Sequence, residues 1–354
     1  MAALASDYPA ARQAFLHGAA AAGGAVRSVV HELRGPDGGE LATDVAVFGD
    51  PGAPCRLLVI SGTHGVEGFA GSLCQTRWLR DGIAPPPGLA VVMVHAINPY
   101  GFAWIRRVNE DNVDLNRNCV DFSGLLPANP GYDELADALV PPLWDDETQA
   151  ATAATLLAYA AEHGFDGLQA AVSVGQYRHP TGIFYGGSGP VWSQRTLAAI
   201  VRHDLADAER VAILDLHTGL GPFGHGELIA SHPDESGRAR LDVWFGEYTV
   251  PAEGTSVSAD VQGDVLDGME AWLPGVAVGG VAIEWGTVDI IEVSTALRAD
   301  AWLHAHADPR GPEAGPVKER LRAAFAPDDP AWGDRVLERF GAVRDRVVAG
   351  VLEG

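Results

Sequence analysis

The chain has 354 residues and is 47% hydrophobic, enough apolar material for one large α/β domain or two small ones. It carries 47 acidic against 24 basic residues, a formal charge of −23, which opposes nucleic acid and anionic membranes as partners. No apolar run approaches the ~18 residues of a membrane-crossing helix. The alanine-rich start is broken by Asp7, Pro9 and Arg12 and leads into no secretory apolar core. Three cysteines, Cys55, Cys74 and Cys119, have no metal-binding spacing and leave one odd, so a reduced, cytoplasmic protein is expected.

In chain order the pattern predicts a helix over Tyr8–Ala21, strands over Thr43–Phe48 and Arg56–Ser61, and a helix over Glu67–Asp81. Strands follow at Leu89–Ala96, Leu168–Val174, Val211–Leu216, Glu227–Ser231 and Val276–Ile283. Helices are expected at Glu147–His163, Pro190–Asp204, Glu235–Tyr248, Ser294–His306 and Trp332–Val351. Nearly all-apolar strands alternating with helices imply a sheet covered by helices on both faces, an α/β fold with a mixed, largely parallel sheet. Proline-rich breaks at Pro85–Pro87, Pro141–Pro142 and Asp328–Pro330 read as loops. No repeat or long linker divides the chain, so a single catalytic domain over residues 1–354 is expected, with a C-terminal helical segment from about residue 311.

Chemistry concentrates at strand ends. His64 and Glu67 stand three apart where the apolar run Arg56–Ser61 turns through Gly62, Gly65 and Gly68 into a helix. A nitrogen and an oxygen ligand on one tight loop suit chelation, and a catalytic zinc takes three such ligands plus a water. His217, last in another apolar run before a glycine-rich turn, is the third-ligand candidate. In a parallel sheet both strand ends gather at one edge. Asp215, two residues earlier on the same face, is placed to hydrogen-bond the imidazole.

After the strand Leu89–Ala96 come Asn98, Pro99 and Gly101, the adjacent Arg106 and Arg107, and the run Asp114, Leu115, Asn116, Arg117, Asn118. Arginine forks beside asparagines make a site for a carboxylate or an oxyanion. Glu284 ends the apolar run Val281–Ile283, where burial raises a carboxyl toward the range of a general base.

This ordered set resembles the zinc carboxypeptidase superfamily, the M14 metallopeptidases and related N-acyl amino acid deacylases. More narrowly, Gly175, Gln176, Tyr177, His179, Pro180 and Gly182, then Tyr185, Gly186, Gly187, Gly189 and Pro190, then His217 to Pro222, resemble its bacterial DUF2817 branch. The likeness spans about residues 40–310. It implies a three-layer α/β/α fold and one zinc ion per chain, held by His64, Glu67 and His217. It also implies Glu284 as general base and acid and Arg107, or else Arg106, facing the oxyanion. Asn116 and Arg117 would hold a substrate carboxylate. The resemblance further implies a small-molecule or peptide substrate with a free carboxylate beside the scissile amide. The tyrosine that closes over substrate in peptidase members has no clear motif; Tyr248 is the candidate, with Tyr177 and Tyr185 as others. Cys119 stands where many relatives carry an aromatic residue. The alternative on the same fold is a metal-binding or regulatory protein without turnover, and a homo-oligomer is possible in either case.

Three further motifs fail on context. Gly219, Gly221 and Gly224 match a dinucleotide fingerprint, but Pro222 interrupts it and a strand follows where a helix is needed. Ser188 lacks the strand and the final glycine of a nucleophile elbow. His225 and Glu227 have no cysteine partners for a deaminase site.

Overall fold

A computed structural model describes residues 3–353. Its centre is a seven-stranded sheet in the order β1-β2-β4-β3-β5-β7-β6, formed by β1 (Ala25–Arg34), β2 (Glu40–Gly49), β3 (Cys55–Ser61), β4 (Leu89–His95), β5 (Arg210–Phe223), β6 (Gly226–Ile229) and β7 (Ala277–Gly286). The four inner strands β4, β3, β5 and β7 run parallel, β2 on one flank and β6 on the other run opposite to them, and β1 pairs antiparallel with β2. The sheet is therefore mixed, with a parallel middle whose carboxyl ends lie side by side.

Alternation along the inner strands sends Leu57, Val59, Ala212, Leu214 and Val281 to one face and Leu58, Ile60, Val211 and Ile213 to the other. The first face is covered by helices Tyr8–Ala21, Gly68–Asp81, Glu235–Trp244 and Pro330–Glu353. Helices Trp192–Asp204 and Val265–Trp272 cover the second, which makes three layers. The last helix is integral to this packing: Trp332, Val336, Phe340, Val343, Val347 and Val351 are all buried in the largest core. No helix of the described residues is long and apolar enough to cross a membrane.

Several elements differ from the sequence pattern. Leu168–Val174 is not a strand but the end of helix Asp146–Ser173, which kinks at Gly164 (φ 79°). A short apolar run carries no periodicity long enough to separate the two states, and here Ala171 packs onto Tyr132 of helix Pro130–Leu139. That helix was signalled by Asn129, whose side chain caps it, and by Pro130 in its first turn. Strand β1 escaped notice because its exposed edge carries Arg27, His31 and Glu32 among its valines. Helix Val265–Trp272 is likewise outside the expected elements, helix Ala314–Phe325 falls within the expected C-terminal helical segment, and the helix expected to reach Tyr248 stops at Trp244. Strands β5 and β7 run past the expected ends, so His217 and Glu284 sit inside strands and face each other in register.

One buried group outside the His64, Glu67 and His217 cluster gives the fold an acid sensitivity. His95 has no exposed surface, stacks on Phe15 at 4.6 Å between ring centroids, and contacts Ser72 Oγ at 3.1 Å. Burial, helped by the nearby Arg12 charge, pushes its imidazole down to about 3. The unfolded chain, with an ordinary histidine near 6.5, thus binds the extra proton first. The contribution is complete above that value and is lost as pH falls toward 3. His95→Phe is expected to remove roughly 3 kcal/mol of the stability change between pH 6.5 and 4, read as urea unfolding midpoints across that range. An unchanged pH slope in the variant would refute it.

Candidate metal centre and substrate site

The turn after β3 is built for close approach. His64 is extended (φ −96°, ψ 125°) and leads into a single 3₁₀ turn, Gly65–Glu67, so that both side chains leave the same side. A Cβ on Gly65 would fall 2.0 Å from the carbonyl carbon of Gly101, so only glycine fits against the short helix Pro99–Ala103. Gly65 and Val66 N–H groups donate to the carbonyls of Arg107 and Arg106 (3.0 and 2.8 Å), fastening the arginine segment to the ligand turn. Asn98 explains its motif in the same place, accepting the Gly101 N–H at 2.8 Å and donating to the Arg107 carbonyl at 3.4 Å.

His64, Glu67 and His217 converge, all buried, with one ligand atom from each within 4.8 Å of the others. His64 Nδ1 lies 2.9 Å from Glu67 Oε1, His217 Nδ1 lies 2.9 Å from Glu67 Oε2, and the two Nδ1 atoms are 3.1 Å apart. On the outer side His64 Nε2 meets Asp114 Oδ1 at 3.0 Å and His217 Nε2 meets Asp215 Oδ2 at 2.8 Å. A ring nitrogen that donates to a carboxylate leaves the other nitrogen as a lone pair. Two such lone pairs and a carboxylate then face one another at hydrogen-bond separation with no proton between them. A cation resolves this. Tetrahedral zinc with bonds of about 2.0–2.1 Å separates its ligand atoms by roughly 3.3 Å, close to the spacing found. The donor set fits the ion.

The electrostatics agree. Burial works against ionised Glu67, but His64 and His217 outweigh it and hold the carboxyl far below its usual value. Burial lowers His217, yet Asp215 and Glu67 lift it well above the usual histidine range. A proton therefore occupies the triad when no metal does, and metal binding must expel it, so zinc affinity falls as pH falls.

Glu284 stands beside this cluster, cross-strand from His217, with its Oε1 accepting the Leu220 N–H at 2.9 Å. Burial first and the Glu67 charge second push its carboxyl up to about 8. Arg107 donates from Nε to Asp114 Oδ2 at 3.0 Å and from Nη1 to Glu67 Oε1 at 3.1 Å. Asp114 thus joins one ligand imidazole to the arginine. The sequence pattern assigns Asp114 no such role, and its place two residues before Asn116 is its one signal there.

Arg106 and Arg107 part company despite adjacency. Arg106 turns into the protein, to Asp300 Oδ2 at 3.0 Å and Asn112 Oδ1 at 2.8 Å. Arg117 is buried too, but its bonded partners are the carbonyls of Asn116 (2.9 Å) and Ser173, and its Nε has none. Burial lowers its guanidinium, the state of a cation short of an anion. Asn116 is half-buried and spends its Oδ1 on the Val265 N–H (3.1 Å), capping the helix that follows. Tyr248 packs on the helix-side core with Asp242 and Arg238 as its neighbours, and is not brought to the triad. Tyr177 donates to the Arg117 carbonyl at 2.6 Å, while Tyr185 is buried with Val113 and Val191.

The segment 175–190 wraps Arg117 and Asn118. Gly175 (φ 107°) lies against the Arg117 side chain, where a Cβ would be 2.6 Å from Cδ. Asn118 donates to the carbonyls of Gly186 and Gly189 at 2.8 and 3.0 Å and accepts the Val191 N–H at 3.1 Å. The family model for the protein of unknown function DUF2817 matches residues 4–339. This chain belongs to the DUF2817 family.

No curated protein matches the sequence of this DUF2817 chain. Among solved structures it is similar to bovine thrombin-activatable fibrinolysis inhibitor, solved in complex with tick carboxypeptidase inhibitor. There the TM-score is 0.46 at 9% identity, over 99% of this chain and 98% of that one. Carboxypeptidase A from Helicoverpa armigera gives a TM-score of 0.46 at 12% identity, over 91% and 74% of the two chains. An aspartoacylase family protein from Mesorhizobium loti gives 0.37 at 16% identity, over 79% and 67%.

Proposed function

We propose that this DUF2817 protein is a zinc-dependent hydrolase of an amide bond next to a free carboxylate, acting on a peptide or an N-acyl amino acid. The observation that carries the reading is the triad itself, in which two imidazole Nδ1 atoms and a carboxylate converge while an aspartate braces each imidazole from behind. A bound zinc ion supplies a Lewis acid for the scissile carbonyl and acidifies a water molecule.

The remaining roles belong to the chain. Glu284 takes the proton of the attacking water on its carboxylate and returns it to the leaving amine, and its raised proton affinity suits both halves of that task. Arg107, fixed by Glu67 and Asp114, offers its free N–H donors to charge developing on the carbonyl oxygen. Arg117, with an unpartnered Nε, receives the substrate carboxylate and so sets the distance from that anion to the bond cleaved. Asn116 lines the same turn and positions Arg117 through its backbone carbonyl.

The test loads purified protein with zinc, measures metal content by atomic emission, and follows a panel of N-acyl amino acids and dipeptides by mass spectrometry. Each compound is paired with its carboxamide. About one zinc per chain and cleavage confined to free carboxylates are expected. A zinc-loaded protein that cleaves no member of the panel sinks the proposal.

A further inference from the structure

Phe184 occupies a conformation that its residue type avoids. It has φ 54°, in the left-handed region where a bulky side chain is uncommon and glycine is at ease. The turn is held from both sides: the Gln176 N–H donates to the Phe184 carbonyl (3.1 Å), and the Gly186 N–H donates to Gln176 O (2.8 Å). The Asp114 N–H donates to Tyr185 O (2.8 Å). The backbone is thus over-determined, and its φ would suit glycine better. Beyond packing on two apolar clusters, the ring adds contact with two cations. The guanidinium carbons of Arg107 and Arg117 lie over it, 5.3 and 5.4 Å from its centroid.

Two like charges that share one ring would separate if free to move. An aromatic ring in contact with both attracts both, and it does so without using any N–H donor. The donors stay available, which a carboxylate counter-ion in the same place would prevent. Arg107 is the group proposed to meet the carbonyl oxygen and Arg117 the group proposed to meet the carboxylate, so the spacing Phe184 sets is the spacing between the two oxygen-bearing ends of the substrate.

We propose that Phe184 is a positioning residue that holds Arg107 and Arg117 as one paired anion receptor, selective for ligands with two oxygen anions or an anion and a carbonyl a few bonds apart. This rests on the substrate roles given to the two arginines above, and reaches beyond them to a residue that no motif marked.

Calorimetry on the zinc-loaded protein with succinate, which carries two carboxylates, and propionate, which carries one, tests it apart from turnover. Wild type should prefer succinate by at least about 10-fold. Phe184→Gly relieves the backbone but removes the ring's packing on two apolar clusters, so it should fold with a lower melting temperature, and its preference should drop about 5–10-fold. Phe184→Tyr, which keeps an aromatic face, should restore most of it, and Phe184→Leu, which keeps apolar bulk alone, should not. A Gly or Leu variant with full succinate preference overturns the proposal, as does a wild type that binds both anions alike. Neither result bears on whether amides are cleaved. A panel without turnover, with succinate preference lost in the Gly variant, would overturn the hydrolase reading and leave the receptor standing.

Discussion

Glu284→Gln is expected to bind zinc like the wild type and to lose about 10²–10⁴-fold in kcat, the range that a positioned general base supplies. The substitution is mild in structure. Gln Oε1 can still accept the Leu220 N–H, so the strand and the turn beyond it are retained. It also removes a half-buried carboxyl whose ionisation desolvation and Glu67 oppose, so the melting temperature should stay level or rise. Activity in the wild type should climb with pH as Glu284 loses its proton. That limb should lie below about 8, since a cation in the triad draws the carboxyl back down. Equal kcat in variant and wild type on a hydrolysed substrate would remove Glu284 from the mechanism.

Removing a ligand should act on the metal before it acts on the rate. His64→Ala and His217→Ala are each expected to abolish stoichiometric zinc in equilibrium dialysis, because the remaining pair leaves the ion without its third protein donor. Asp114→Asn and Asp215→Asn keep all three ligands but weaken the acceptor behind each imidazole, and zinc affinity should fall about 10–100-fold. Asp114→Asn carries a second penalty, since Asp114 also receives the Arg107 Nε. Its kcat/KM should therefore fall further than that of Asp215→Asn when both are measured at saturating zinc. Full metal in both histidine variants would show that the ion binds elsewhere.

The convergence of His64, Glu67 and His217 was legible because its carriers are local. His64 and Glu67 sit on one turn whose glycines announce it, and His217 and Asp215 alternate along one strand. The parallel middle of the sheet was legible for a related reason: strands buried on both faces must be apolar throughout, whatever they pair with. Strand β1, exposed at an edge, had no such constraint, and a seven-residue apolar run read as strand proved to be helix.

By itself the sequence determined the residue types and the turns: a nitrogen-and-carboxylate triad, a buried acid, arginines beside asparagines, and a α/β frame to bring strand ends together. Which arginine serves which purpose was decided only in three dimensions. Arg106 and Arg107 are neighbours in the chain, yet one is claimed by Asp300 from a helix far downstream and the other by Glu67 and Asp114. The same holds for Phe184, whose ring meets Arg107 and Arg117 through a loop that pairs with neither in sequence. Hydrophobic periodicity and turn chemistry act over a few residues and can be read in order. The partner of a charge is chosen by whichever opposite group the packing brings within about 3 Å, and no local pattern encodes that choice.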